Sequence, residues 1–405
     1  MPNSRNLTYP KPTKTISFQN IMNTKTSLMA TAASLALFGA ANGQTVIDIT
    51  GSTAGRATVH AQVAALLSGE TVSWYMNNGS AQTNPASADA VIYKGGTLAG
   101  TAVTVRSFWA GSATGVDFVS NQVQLNNRFI SNTATISAGQ LTGTSGDLIT
   151  AGLLAPASAE TAPEFGFSDV KQAATVYQTN PLAEQTDLFI IPFRWLCTDT
   201  LTGVSNITNQ MVRAHYTGLG DVPKSLYTGV ATDTASVYAI GRDDDSGTRI
   251  TAFAETGAGA FATVSQWSFT TAGTGTAVTI SAPVEVFNGG FASGGSVGTI
   301  LGGSGFNAVG YVGISDAATA VTNGAVPLNF NGTPFSVDNV RNGSYTFWSK
   351  YQMLRRLTLT GPTLSLFNSL KSSLIALPTA GNGSSIKLTD MKVDRQSDGA
   401  NVTPN

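Results

Sequence analysis

Apolar and polar positions along this chain follow two periods, and the change from one to the other recurs at turns of small hydroxyl residues. Val46 to Thr50 reads as a strand that ends at Gly51, Ser52 and Thr53. The next apolar positions, Val59, Val63, Leu66 and Leu67, have the i, i+4, i+7, i+8 spacing of one buried helix face. Val103 to Trp109 repeats the strand and leads into Gly111-Ser112-Ala113-Thr114-Gly115. A third instance is VYAIGRDDDSGTRITAF, Val237 to Phe253: a short apolar strand, then Arg242, three Asp, Ser246-Gly247-Thr248, and a helix carrying Ile250 and Phe253. Open α/β sheets gather such turns at the carboxyl ends of their strands, where ligands bind.

The remaining pattern fills in around these three. FGFSD, Phe165 to Asp169, places a carboxylate at a strand end, and DLFIIPFRWLC, Asp187 to Cys197, has the length and density of a buried strand crossing between lobes. Ile207 to Tyr216 reads as helix and Gly218 to Tyr227 as a turn around Pro223. Val264 to Thr271 and Ala277 to Phe287 alternate as a hairpin across Gly273 to Gly275. Val309 to Ile314 is a strand, Leu364 to Leu377 an amphipathic helix, and the tail from Asp390 is polar. Asn77 to Ala90 and Ser131 to Glu164, rich in Ser, Thr, Gly, Asn and Ala, read as loops.

Composition narrows the class. The 405 residues suffice for two lobes. Lys and Arg number 22 against 23 Asp and Glu, which offers no electrostatic footprint for nucleic acid. Charged residues make up only 11%, giving a polar but weakly charged surface common among exported proteins. Met22 to Gly43 has a Lys near its start, an apolar run from Leu28 to Ala41 and small residues at its end: the layout of a signal peptide with cleavage after Gly43 and translation from Met22. No Cys follows the run, so a lipid anchor is not indicated, and the mature chain is expected to be periplasmic or secreted. One cysteine and two histidines exclude an intramolecular disulfide and a zinc cluster of ordinary spacing, and no metal or cofactor is expected. His60 falls on the first helix and is expected to be a packed or surface residue.

The candidate chemistry is anion binding. Ser246, Gly247 and Thr248 open a helix, where backbone N–H groups lack intrahelical partners beside the positive end of the dipole. Arg242 adds a planar fork suited to phosphate or carboxylate. The same residues also suit a well-capped surface helix whose Arg only balances the Asp run. Catalytic patterns fail: Gly294-Gly295-Ser296-Val297-Gly298 fits a nucleophile elbow in letters, but no His follows His215. Neither a Walker loop nor a dinucleotide fingerprint is present, and an enzyme is not expected.

Arg242-x-x-x-Ser246-Gly247-Thr248, the Gly51-Ser52-Thr53 turn, Gly111-Ser112 and Ser168-Asp169, with VGYVGISDA, VRNGSYTFW and DMKVDRQSDG further on, together resemble the phosphate-binding proteins of ABC-type phosphate uptake systems. The resemblance implies a type II periplasmic-binding-protein-like fold, two α/β lobes, each a mixed sheet flanked by helices, closing over a dehydrated phosphate. Behind a leader at 1–43, with the signal peptide at 22–43, it implies one lobe from 44–196 and 346–405 and another from 197–345. Ser52 or Thr53, Ser112 and Asp169 would serve from the first lobe; Arg242, Ser246, Gly247 and Thr248 from the second, with Asp244 orienting the Arg. The implied partners are inorganic phosphate and an inner-membrane ABC permease, with the protein a monomer. Because monohydrogen phosphate keeps a proton, a carboxylate such as Asp169 can accept it, whereas sulfate meets a repelled acceptor. A rival expectation, drawn from the Gly- and Thr-rich additions, is an exported structural or adhesive protein that kept the fold without the ligand.

Overall fold

One mixed sheet organises residues 44–405, and a single long strand holds its two halves together. In chain order the sheet uses β1 (Thr45–Gly51), β2 (Thr71–Tyr75), β3 (Ala90–Leu98), β4 (Thr101–Trp109), β5 (Phe165–Ser168), β6 (Glu184–Cys197), β7 (Asp221–Pro223), β8 (Ser236–Ala239), β9 (Asn307–Gly313) and β10 (Trp348–Arg355). Across the sheet the order is β2-β3-β4-β1-β5-β10-β6-β9-β8-β7. The computed structural model describes residues 44–67, 69, 71–75, 88–125, 128–132, 162–272, 279–303 and 305–405. The leader expected over 1–43, most of the loops expected at Asn77 to Ala90 and Ser131 to Glu164, and the turn at Gly273 to Gly275 lie outside them.

The crossing strand expected at Asp187 to Cys197 is β6. Its first part, to Pro192, pairs antiparallel with β10, and Phe193 to Cys197 pair antiparallel with β9. Helices α1 (Arg56–Leu66), α2 (Ser112–Ser120), α3 (Gly247–Glu255), α4 (Gly294–Leu301), α5 (Ile314–Thr322) and α6 (Gly361–Ala376) cover the sheet. On the first lobe α2 packs on β1 and β5, and α6 on α1; on the second, α3, α4 and α5 pack against β9. The two-lobed α/β class expected from the sequence is the one observed, but the two sheets are continuous through β6 instead of separate.

Register explains where the functional turns go. β1 runs parallel to both β4 and β5, with Gly51 level with Trp109 and Phe167. The residues leaving these strands, Ser52, Gly111-Ser112 and Asp169, therefore emerge side by side at one edge. In the second lobe β8 runs parallel to β9, with Ala239 level with Val309, so Arg242 and Gly313 leave that half of the sheet together.

Several finer expectations change. Pro223 ends strand β7, which pairs with β8, and a short helix follows at Ser225–Thr228, so the segment read as one turn is an edge strand and a helical turn. The helix read at Ile207 to Tyr216 begins at Asn209 and widens into a π-helical turn at His215–Leu219. The hairpin over 264–287 is present as two short ladders, Trp267–Ser268 with Val284–Glu285 and Thr271–Ala272 with Thr279–Ile280. His60 is packed: Trp109 Nε1 donates to its Nε2 at 2.9 Å, which leaves Nδ1 to donate to the Tyr93 hydroxyl at 2.9 Å. Burial pushes its pKa down to about 3.

Gly51 is where this packing is least forgiving. Its φ is +136°, a left-handed conformation, and an added Cβ would fall on the Phe167 carbonyl. Gly51→Ala should therefore destabilise the fold by about 3 kcal/mol, from overpacking together with backbone strain. Urea unfolding measures this; a loss below about 0.5 kcal/mol would contradict the register described.

Candidate functional site

The three turns of the first lobe converge on Asp169. Its carboxylate accepts a short hydrogen bond from the Ser112 hydroxyl, and its own N–H donates to the same Oγ at 3.2 Å. The Ser52 hydroxyl also hydrogen-bonds the carboxylate. Ser52 is fixed in turn, its N–H donating to Phe167 O at 2.9 Å and its carbonyl accepting from the Tyr351 hydroxyl at 3.2 Å. Asp169 is 1% exposed. Burial pushes its pKa up to about 6, against the opposing pull of its backbone hydrogen bond, Arg242 and Ser52.

The second lobe meets this cluster through the start of α3. Ser246 caps the helix, its Oγ accepting from Arg249 N at 3.4 Å. At a helix start the Gly247 and Thr248 N–H groups have no intrahelical partner. Gly247 lies directly against Asp169 and Ser112, so close that an added Cβ would overlap Asp169 Oδ1. Beside it Ala113 N–H, in the first turn of α2, donates to Asp245 O at 3.0 Å. The two lobes thus touch through main chain.

Arg242 is 4% exposed, and its side chain is held by carbonyl groups. Nε donates to Phe291 O at 2.9 Å and Nη2 to Ala292 O at 2.7 Å, while its N–H donates to the Tyr311 hydroxyl at 3.3 Å. Among the described residues Nη1 has no protein acceptor. Asp244, expected to orient this guanidinium, does not: it is exposed and lines a different cavity, of about 180 Å³, with Asp245 and Tyr177. The reason lies in the turn, which aims the middle Asp of the run outward while the α4 approach supplies carbonyls.

Thr53, Arg242 and Thr248 line one cavity of about 280 Å³ between the lobes. Ser52, Ser112, Asp169 and Gly247 form the adjoining cluster. Two further charged residues on the cavity wall escaped the sequence reading. Arg56, the first residue of α1, donates Nη1 to Ala88 O at 2.9 Å, and its Nε is buried without a partner among the described residues. Asp316, in the first turn of α5, lies against Gly294. Burial lowers the Arg56 pKa, with Asp89 and Asp316 opposing it and Arg242 adding to it, and raises that of Asp316. A cation at the first position of a helix opposes the dipole, and that anomaly was the available signal for Arg56. Among the described residues no group of three or more His, Cys, Asp or Glu is placed to hold a metal, and no helix is long and apolar enough to cross a membrane.

Fold and site together define a two-lobed α/β architecture with a polar cleft between lobes. No protein-family model matches the chain, and no curated protein does. Solved structures similar to it include a chain from Clostridium perfringens assigned as a phosphate ABC transporter substrate-binding protein and solved with bound phosphate, at 15% identity over 85% of this chain and 99% of that one, TM-score 0.47. An ABC-type phosphate transport receptor from Vibrio cholerae matches at 13% identity over 84% of this chain and 99% of that one, TM-score 0.44. PstS from Borrelia burgdorferi matches at 13% identity over 81% and 92%, TM-score 0.37. At such TM-scores the functional reading rests on this chain's own residues.

The Asp169 environment has a pH consequence. Its carboxyl titrates near 6 in the folded chain and at about 3.8 when unfolded, so between those values the folded chain binds the extra proton. The stability this contributes is full below pH 3.8 and is lost as pH rises through 6. Asp169→Asn removes that loss and should stabilise the ligand-free protein at pH 7.5 by on the order of 3 kcal/mol relative to pH 3.5. Urea unfolding of both proteins across this range measures it; parallel pH profiles would contradict the placement of Asp169.

Proposed function

We propose that this chain is an exported, bilobal solute-binding protein that captures inorganic phosphate between its lobes and presents it to an inner-membrane ABC permease. On this reading the leader at 1–43 is removed, the lobes divide as 44–196 with 346–405 and 197–345, and the mature protein works as a periplasmic or secreted monomer, a carrier and not an enzyme. The observation that carries the proposal is the buried Asp169 carboxylate, wrapped by Ser52 and Ser112 and pressed against the N-terminus of α3.

The roles follow from that placement. Thr53, Ser246 and Thr248 offer hydroxyls, Gly247 and Thr248 offer N–H groups, and Arg242 supplies a guanidinium whose Nε and Nη2 anchors fix its direction. Asp169 accepts the proton that monohydrogen phosphate retains. Sulfate has none to give, so two acceptors would face each other in a dehydrated site. The carbonyl cradle of Phe291 and Ala292 matters here because it orients Arg242 through neutral groups, with no carboxylate hydrogen-bonded to the guanidinium among the described residues.

Arg242→Ala should weaken phosphate binding at least about a hundredfold, since it strands a dehydrated anion beside a carboxylate. The fold should remain, because the lost anchors are two carbonyl contacts. Isothermal titration calorimetry at pH 7.5 measures it; unchanged affinity would overturn the assignment. The rival structural or adhesive role predicts no heat of phosphate binding in the unmutated protein at all.

A further inference from the structure

We infer that the cleft takes a phosphoryl compound carrying a second acidic group, of which diphosphate is the simplest, with Arg242 holding one phosphoryl group and Arg56 the other. The inference rests on the oxyanion reading above and specifies its ligand.

Three observations lead to it. First, the cavity measures about 280 Å³, near the lower bound of roughly 300 Å³ for small-molecule clefts, while phosphate has only five heavy atoms. Second, its walls carry two guanidiniums from opposite lobes, Arg56 on α1 and Arg242 beyond β8, with Asp316 the carboxylate between them in charge terms. Asp89, off the wall, pairs with Arg56 at 3.6 Å, so the excess is one of guanidinium donors, beyond what a single phosphate contact at Arg242 uses. Third, Arg56 occupies a costly position. It stands at the positive end of a helix dipole, its Nε is buried without a partner among the described residues, and Arg242 repels it. Its Nη1 contacts, Ala88 O at 2.9 Å and Asp89 at 3.6 Å, fix the side chain at one end without satisfying the rest.

A ligand with one anionic group relieves one guanidinium. A ligand with two relieves both.

Calorimetric titration of the full mature chain with sodium phosphate and with sodium diphosphate, for the unmutated protein, Arg56→Gln and Arg56→Lys, tests this. The expected result is a diphosphate affinity about tenfold above that for phosphate in the unmutated protein. Arg56→Gln should erase that preference, weakening diphosphate far more than phosphate, and Arg56→Lys should keep part of it because the charge stays. Binding of phosphate with rejection of diphosphate overturns this inference alone. So does an equal loss of both ligands in a folded Arg56→Gln protein, which would put Arg56 on the same phosphoryl group as Arg242. Binding of neither overturns the phosphate reading and this one with it.

Discussion

The site depends on a contact without side-chain volume: Gly247, the first residue of α3, set against Asp169 and Ser112. Any Cβ there would overlap the carboxylate, so only glycine lets the helix start come this near. The approach does two things at once. It excludes water from Asp169, pushing its pKa up to about 6, and it brings the unpaired N–H groups of α3 to the same place. In a dry site each of these interactions counts for more than it would in solvent. Opening the lobes would restore water and weaken all of them together.

The weakly charged composition and the charged cleft are compatible because several buried charges away from the cleft are paired in place. Arg106 makes a two-pronged pair with Asp48, at 2.7 and 2.6 Å, inside the first lobe. Arg395, from the tail, pairs with Glu255 at 2.6 Å and lies over the Trp348 ring at 3.9 Å. Arg242, like the neighbouring Arg249, is held by neutral groups instead of a carboxylate. Had Asp244 paired with it, as the run of three Asp suggested, the anion would have had to compete with a carboxylate already in place.

The three strand-to-helix turns were legible because each combines two strong local signals, a change of hydrophobic period and a cluster of cap-forming residues. β6 was legible as an unbroken apolar run for the related reason that it is buried along most of its length. What escaped was set by tertiary contact. β3 is interrupted by Lys94, Gly95 and Gly96, and its pairing with β4 shifts register there, so its alternation fails as a pattern although the ladder survives. β10 mixes aromatic and basic residues because it is covered on both sides by other strands, β5 and β6, and reads as no simple period. The polar tail is built into the fold, Asp398 accepting the Lys171 N–H at 2.8 Å, a contact its polarity alone does not reveal. Arg56 and Asp316 come from segments far apart in sequence and become neighbours of one cavity only when the lobes meet.

The central claim is that one tetrahedral oxyanion sits between Arg242 and the first turn of α3, with Asp169 adjoining. Arsenate has the shape and the retained proton of phosphate, and its heavy atom scatters X-rays anomalously. A crystal of the mature protein grown with arsenate should show one strong anomalous peak in the cavity lined by Thr53, Arg242 and Thr248. A peak confined to the outer surface, or none at saturating arsenate, would contradict the account.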